Sequence, residues 1–222
     1  MIAGAPISWG VCEVPGWGYQ LPVTRVLTEM RELGLAATEF GPDGYLPADP
    51  GERAGLLGAH GLAAAGGFVP VVLHDKDRDP LPVIDRALDG FGPPDRAVLV
   101  LAAATGADGY ETRPELDEAA WATLLANLTR AATRAAERGF TATLHPHVGT
   151  MVEKRDEVLR VLDGTDVRLC LDTGHLLIGG TDPAVLAREA AGRIGHVHLK
   201  DVRQDVAAKV SDGAISYTDG VR

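Results

Sequence analysis

Seven short apolar runs alternate along this chain with longer segments of helical periodicity. The runs occupy residues 2–8, 36–40, 63–73, 96–103, 141–145, 168–172 and 194–199. Their apolar positions are continuous rather than alternating, which is typical of parallel strands covered on both faces. Because helical segments separate the runs, the pattern predicts βαβ units and an α/β fold with a parallel sheet.

Glycines mark the ends of the clearest helical segments. Apolar residues follow helical spacing from Val23 to Leu33, and Gly34 then supplies a stop. The longest helix is predicted over residues 115–138, again followed by a glycine, Gly139. Both signals favour well-bounded helices between the strands.

Three further segments have local signals. Thr150 and Glu153 have the spacing of a capping box, which predicts that the next helix begins there. Asp182 followed by Pro183 predicts the start of another helix. Residues 203–222 are polar and lack a strong period, which predicts a loop or a mobile segment.

The length of the chain bounds the fold. With 222 residues, of which 45% are hydrophobic, it has the size and composition of one globular domain. A TIM barrel needs eight β/α units and about 250 residues, whereas only seven strands are visible. We therefore expect a single-domain (β/α)8 TIM barrel over residues 1–222 that lacks the eighth strand unit because the chain is truncated at its C-terminus. The alternative is an open sheet.

Charge and cysteine content exclude some function classes. The net charge of −10 argues against a nucleic-acid partner, which needs clustered Lys and Arg. Cys12 and Cys170 imply no disulfide framework, and Cys170 lies in a strand run, which predicts a buried free thiol. No signal peptide or membrane span is visible, so we expect a cytoplasmic protein with no membrane partner. The sequence leaves open whether it forms a homo-oligomer.

The ends of the predicted strands carry side chains that can bind or titrate. In parallel α/β folds, functional residues collect at the carboxyl ends of strands. The residues at or just beyond these ends are Trp9, Glu39, His74, His145, His147, Asp172, His175, His198, Lys200 and Asp201.

Three of them predict a metal site. His145, Asp172 and His198 end three consecutive strands, so their side chains can converge on one cation. A mixed shell of imidazole and carboxylate suits Mn²⁺, Co²⁺, Fe²⁺ or Zn²⁺ rather than Ca²⁺. The alternative is that each His caps its strand by bonding to the backbone.

The remaining strand-end residues each have two interpretations. His196 lies two residues before His198 and is expected below the site, in a structural role. His147 orients a ligand or contacts substrate, whereas Asp201 is a partner of a ligating His or a solvated loop acid. Glu39 is a substrate contact or a salt-bridge partner, and His74 is expected in the pocket.

Trp9 is the aromatic residue at the first strand end. It lies within the segment Ser8–Gly10, just after the first apolar run. Aromatic side chains often line ligand pockets, so Trp9 is expected to form an apolar wall against substrate. The alternative is a place in the hydrophobic core.

Several segments together resemble a known superfamily. The stretches HPHVGTMVE, LCLDTGHLLIGGTDP, RIGHVHLKDV, APISWGVCEVPGWG and TEFGPDGYLP resemble the sugar phosphate isomerase/epimerase superfamily of xylose isomerase-like TIM barrels. Within it the chain is most similar to inosose dehydratases of inositol catabolism. The resemblance covers nearly the whole chain, and LDTGH followed by HVHLKD is its most specific part.

The resemblance implies functional roles. His145, Asp172 and His198 fall at the family's metal positions on strands five, six and seven, although the first is commonly Glu. The fourth ligand, a Glu on strand eight, has no counterpart in this sequence. His175 resembles a substrate-contacting His, and the family implies a divalent cation, with Mn²⁺ or Co²⁺ favoured and Zn²⁺, Fe²⁺ or Mg²⁺ as alternatives.

The expected reaction is a metal-dependent dehydration of a keto-inositol, a small polyol-like substrate. A base removes a proton α to the ketone, and a β-hydroxyl then leaves. His175, Glu39 and Lys200 are the expected catalytic residues, and Trp9, His74 and His147 the expected substrate contacts. The alternatives are a keto-sugar isomerase or epimerase with the same metal site, and a degenerate sugar-binding protein without activity.

Overall fold

The computed structural model describes residues 1–12, 14, 16–94 and 97–221. These residues form seven strands and nine α-helices, with two short 3₁₀ helices at Pro6–Trp9 and Ala191–Arg193. The strands are β1 Ala3–Gly4, β2 Ala37–Glu39, β3 Ala63–Val71, β4 Val98–Ala103, β5 Thr141–Leu144, β6 Arg168–Asp172 and β7 Ile194–His198. The helices are α1 Val23–Glu32, α2 Pro50–Ala59, α3 Leu81–Phe91, α4 Glu118–Glu137, α5 Arg155–Gly164, α6 Thr173–Ile178, α7 Pro183–Glu189, α8 Gln204–Ser211 and α9 Tyr217–Val221.

The predicted parallel sheet is confirmed. Each strand pairs in parallel with the next one along the chain, giving the order β1 to β7. The sheet is curled, since its second and last strands approach each other: the Glu39 side chain on β2 hydrogen-bonds to His196 and His198 on β7. Within the described residues β1 and β7 do not pair, so the fold is a barrel that lacks one strand unit.

The first predicted strand is longer than the observed one. The apolar run predicts extended backbone over residues 2–8, but β1 ends at Gly4 and a 3₁₀ helix begins at Pro6. Proline has no N–H to donate to the strand ladder, and its fixed φ suits the first position of a helix. Arg96, the first residue of the fourth predicted strand, lies outside the described residues.

The core has two clusters, a larger one around the central strands and a smaller one near the N-terminal helices. Buried leucines of the central strands β4–β6, including Leu99, Leu144 and Leu169, pack with the helices that follow β3 to β6. A smaller cluster lies under α1 and α2, around Leu27 and Met30. The central strands are therefore fixed by packing, and two of the predicted metal ligands lie at their ends.

Several predicted features are confirmed. Gly34 follows α1 and Gly139 follows α4, both with positive φ, at +79° and +81°. The Asp182 side chain caps α7 by accepting from two backbone N–H groups, and Pro183 is its first residue. Cys170 is a buried free thiol on β6.

The predicted capping box at Thr150 and Glu153 is wrong. Helix α5 begins at Arg155 with Lys154 as its N-cap, and the Glu157 side chain in the first turn accepts from the backbone N–H groups of Glu153 and Lys154. The Thr150 hydroxyl instead donates to the carbonyls of His147 and Val152. The spacing alone did not reveal that Thr150 shapes the loop after β5.

The prediction of a loop over residues 203–222 is also wrong. Residues 204–211 and 217–221 form α8 and α9, and Arg222 lies outside the described residues. The Glu111 carboxylate, from the loop after β4, accepts from the backbone N–H groups of Tyr217 and Thr218 at the start of α9. A tertiary contact thus stabilises a helix that the weak local period did not predict. In the described part of the chain, no helix combines the length and the apolarity needed to cross a bilayer.

Candidate active site

The three predicted metal ligands meet at one carboxylate oxygen. His145 directly follows β5, and Asp172 and His198 are the last residues of β6 and β7. Oδ2 of Asp172 lies 3.0 Å from Nε2 of His145 and 3.3 Å from Nδ1 of His198. The parallel sheet therefore brings together residues separated by up to 53 positions, since neighbouring carboxyl ends share one rim.

The two oxygens of Asp172 have different partners. Oδ1 accepts from the backbone N–H groups of Gly174 and His175, both at 2.9 Å, and so caps α6. Oδ2 faces the histidines and also lies 2.7 Å from Nζ of Lys200. A Cβ at position 174 would lie 2.9 Å from Cβ of Lys200, so only glycine lets the lysine approach this closely. The turn at Asp172 therefore brings together a predicted metal ligand, the start of α6 and the Lys200 ammonium.

Glu39 links the opposite side of the barrel to the same cluster. Its Oε1 accepts from Nε2 of His196 and from Nε2 of His198, both at 2.8 Å. Glu39 ends β2, whereas both histidines lie on β7. His196, expected in a structural role below the site, is thus a direct partner of a predicted catalytic residue.

Aromatic rings cover the cluster. The rings of His147 and His175 lie 3.7 Å apart between centroids, tilted by 36°. Tyr110 lies 5.3 Å from His147, and Tyr217 of α9 lies 6.0 Å from His175. Phe68 packs against His145 at 5.8 Å. Sequence reasoning missed these three aromatic residues, because two lie in segments without periodicity and Phe68 lies inside a strand.

Burial and hydrogen bonding determine which groups of the cluster are charged. Burial raises the pKa of Asp172, but hydrogen bonds with His145 and His198 outweigh it and leave that pKa far below its ordinary range. Burial lowers the pKa of His198, but bonds with Asp172, Cys170 and Glu39 outweigh it and raise that pKa well above its usual value. The Asp172 carboxylate is therefore ionised, and the hydrogen-bond partners of His198 stabilise its imidazole in the protonated form.

Three buried histidines of the cluster, His145, His147 and His175, are neutral. Burial lowers the pKa of His145 to about 4 and that of His147 to about 3. Burial and the nearby His147 hold the pKa of His175 well below its usual value. Neutral imidazoles have a free lone pair, so these rings are available as metal ligands or as bases.

The donor set fits a divalent transition metal. Ligand atoms lie within 4.8 Å of one another in three groups. These groups are His145 with Cys170 and His198, Glu39 with His196 and His198, and His145 with Asp172 and His175. Nδ1 of His145 is also buried without a hydrogen-bond partner among the described residues. Imidazole nitrogen with carboxylate oxygen suits Mn²⁺, Co²⁺, Fe²⁺ or Zn²⁺.

Two predicted substrate contacts have partners or positions outside this cluster. The Trp9 indole N–H donates to Glu29 of α1 at 2.8 Å, and the ring packs against the smaller core cluster. His74 follows β3 and is half-buried, with Nδ1 lacking a partner among the described residues. Their substrate roles stay predictions. Asp201 is exposed and accepts from the backbone N–H of Val202.

Comparisons with known proteins agree with this architecture. A curled parallel sheet with imidazoles and carboxylates at its strand ends defines a class of α/β barrels, and residues 95–221 match the family described as xylose isomerase-like TIM barrel. The chain is 34% identical over 230 residues to an inosose dehydratase of Geobacillus kaustophilus (strain HTA426), covering 98% of this chain and 74% of that protein. The chain belongs to the xylose isomerase-like TIM barrel family.

Two further relatives are similar in sequence or structure. The rhizopine catabolism protein MocC of Rhizobium meliloti is 36% identical over 232 residues, covering 99% of this chain and 70% of that protein. The structure of an L-ribulose 3-epimerase superposes with a TM-score of 0.65 at 19% identity, covering 97% of this chain and 78% of that chain. The curated relatives named as dehydratases support the assignment of this chain as an enzyme.

Proposed function

We propose that this enzyme removes water from a keto-inositol, a cyclic polyol that carries one ketone. The similarity to an inosose dehydratase over 98% of the chain supports the substrate class. The observation that carries the chemistry is the neutral, buried His175 beside the Asp172 and Lys200 pair. A neutral imidazole can accept a proton from a carbon α to a ketone, and the Lys200 ammonium can stabilise the enolate that forms.

His145, Asp172 and His198 are the proposed ligands of a divalent cation, with Mn²⁺ or Co²⁺ favoured. When bound, such a cation acts as a Lewis acid that stabilises negative charge on the substrate's oxygen. The short distances from Oδ2 of Asp172 to both imidazoles, 3.0 Å to His145 and 3.3 Å to His198, support this ligand set.

The proposed roles follow from the contacts of each side chain. His175 removes the proton on the α-carbon, and the electron pair forms the enolate with the ketone oxygen. The Lys200 ammonium donates a hydrogen bond to that oxygen. The enolate then expels the β-hydroxyl, which takes the proton that His175 had removed and leaves as water, so that His175 is neutral again. His147 donates Nδ1–H to the carbonyl of Val148 at 2.7 Å, so its Nε2 lone pair is available to a substrate hydroxyl.

The test is turnover of a purified, cation-loaded protein. We expect the chain with Mn²⁺ or Co²⁺ to convert scyllo-inosose to a dione, followed by its ultraviolet absorbance and by loss of one water in the product mass. His175→Gln should abolish most of this activity, whereas Glu189→Gln on the surface of α7 should retain it. Full activity of the His175→Gln variant, or a wild-type protein that binds the cation but never dehydrates the ketone, contradicts the proposal.

A keto-sugar epimerase or isomerase is the second candidate. The stacked pair of neutral imidazoles, His147 and His175, favours it, because two bases can remove and return one proton. Reaction in ²H₂O separates the two. Deuterium in recovered sugar without loss of water indicates epimerisation, whereas a product lighter by one water indicates dehydration.

A further inference from the structure

We infer that Glu39 and His196 are positioning residues that orient His198 toward the cation site, and that Glu39 is not a catalytic base. This inference rests on the proposed cation site formed by His145, Asp172 and His198. It assigns a role to the contact between β2 and β7 that the proposed reaction does not use.

The argument begins with the two nitrogens of His198. Its Nε2 lies 2.8 Å from Oε1 of Glu39, and its Nδ1 lies 3.3 Å from Oδ2 of Asp172. An imidazole that donates one N–H to a carboxylate presents the other nitrogen as a lone pair, and its basicity as a ligand increases. With Nε2–H held by Glu39, Nδ1 is the nitrogen that would give up its proton to a cation, so Glu39 selects Nδ1 as the ligand atom.

His196 holds the carboxylate that holds His198. Its Nε2 donates to the same Oε1 of Glu39 at 2.8 Å. The two histidines are two residues apart on β7, so both side chains project to the same face of the sheet. The two donors hold Glu39 in place and occupy its Oε1, so that oxygen is not available to accept a proton from a substrate carbon.

His198 is less enclosed by packing than the other two proposed ligands. The side chains of His145 and Asp172 are 2% and 0% exposed. The side chains of Glu39, His196 and His198 are 13%, 19% and 17% exposed, so packing encloses them incompletely. Hydrogen bonds from across the barrel replace the packing that fixes His145 and Asp172.

The test is a titration with Co²⁺, whose visible absorbance reports ligand identity and geometry. We expect Glu39→Ala to bind Co²⁺ about 10- to 100-fold more weakly, the usual loss for a partner of a ligating His. Glu39→Gln should lose less, because its amide oxygen still accepts from Nε2 of His198. His196→Gln should have a small effect, and adding it to Glu39→Ala should cause no further loss, because it acts through Glu39.

Glu157→Gln is the matched control. Glu157 is a carboxylate of similar exposure, 17%, that accepts from Arg113 and two backbone N–H groups away from the histidines. We expect it to lower the melting temperature but to leave the Co²⁺ affinity and spectrum unchanged. If it weakens Co²⁺ binding as much as Glu39→Ala does, the effect is general destabilisation and the inference is overturned.

Other outcomes also decide the inference. If Glu39→Ala keeps wild-type Co²⁺ affinity but loses turnover, Glu39 acts on substrate and the inference is overturned. If the wild type binds two Co²⁺ ions and Glu39→Ala binds one, Glu39 is a ligand and the inference is again overturned. If Glu39→Ala does not fold, Glu39→Gln and His196→Gln supply the same comparison. Weaker Co²⁺ binding by these variants supports positioning even if no keto-inositol is dehydrated.

Discussion

The central strands and the edge strands of this sheet hold their functional residues by different means. On β5 and β6, Leu144 and Leu169 are fully buried beside His145 and Asp172. At the edges, β1 has only two residues, and Leu199 after β7 is 84% exposed. The candidate site spans both parts: packing encloses two of its proposed ligands, whereas the third, His198, is hydrogen-bonded to Glu39 of β2.

The strongest test of this division removes the residue that joins the two parts. Asp172→Asn keeps an oxygen that caps α6 but loses the charge that faces both imidazoles. We expect cation binding to fall by more than about 100-fold, beyond the loss typical of a ligand's partner, and turnover to fall with it. Calorimetric titration with Mn²⁺ measures the affinity. Near-normal binding by this variant would show that the histidines alone define the site.

Removing the proposed base should lower the rate of the reaction but leave cation binding nearly unchanged. His175→Gln is expected to lower kcat by about 100- to 10,000-fold, the usual contribution of a general base, with little change in cation affinity. Steady-state kinetics beside a Mn²⁺ titration separate the two effects. An equal loss of affinity would move His175 from the base role into the ligand set.

A pair of leucines compares the two parts of the sheet directly. Leu169→Ala on β6 should cost about 2–5 kcal/mol of unfolding free energy, because it leaves a cavity in a packed core. Leu199→Ala should change the stability by less than about 0.5 kcal/mol, as is usual for exposed sites. Urea unfolding of both variants measures the difference. Similar values would mean that Leu199 is buried in solution.

Cation binding should raise the free energy of unfolding of the protein. At a free Mn²⁺ concentration of about 100 times Kd, the expected gain is about 2.7 kcal/mol. A thermal melt with and without a chelator measures it. Glu39→Ala should show a reduced gain at the same Mn²⁺ concentration, whereas an unchanged gain would argue that the edge of the barrel does not contribute to the site.

Much of this division was visible in the sequence. Continuous apolar runs predicted the parallel strands, and their polar ends predicted that His145, Asp172 and His198 meet. Those inferences succeed because strand direction and sheet order place carboxyl ends on one rim. The family resemblance added the expected cation, which the sequence pattern allowed but did not identify.

The rest depended on contacts between distant residues. Nothing local shows that Glu39 bonds to histidines 157 and 159 positions away, so the sequence alone predicts either a substrate contact or a salt-bridge partner without naming that partner. The backbone N–H groups of Tyr217 and Thr218 are bound by Glu111, which explains why a polar segment forms α9 instead of a loop. The position of Trp9 beside Glu29 likewise follows from packing between separate segments.

The divided carboxylate of Asp172 limits how this enzyme can be redesigned. One oxygen caps helix α6, and the other contacts the imidazoles of the candidate site. A longer side chain at this position would move both together, so a library that aims to change metal preference should keep Asp172 and vary its imidazole neighbours. Selectivity and folding are tied at this residue, whereas Lys200 and His147 can be varied without disturbing a helix cap.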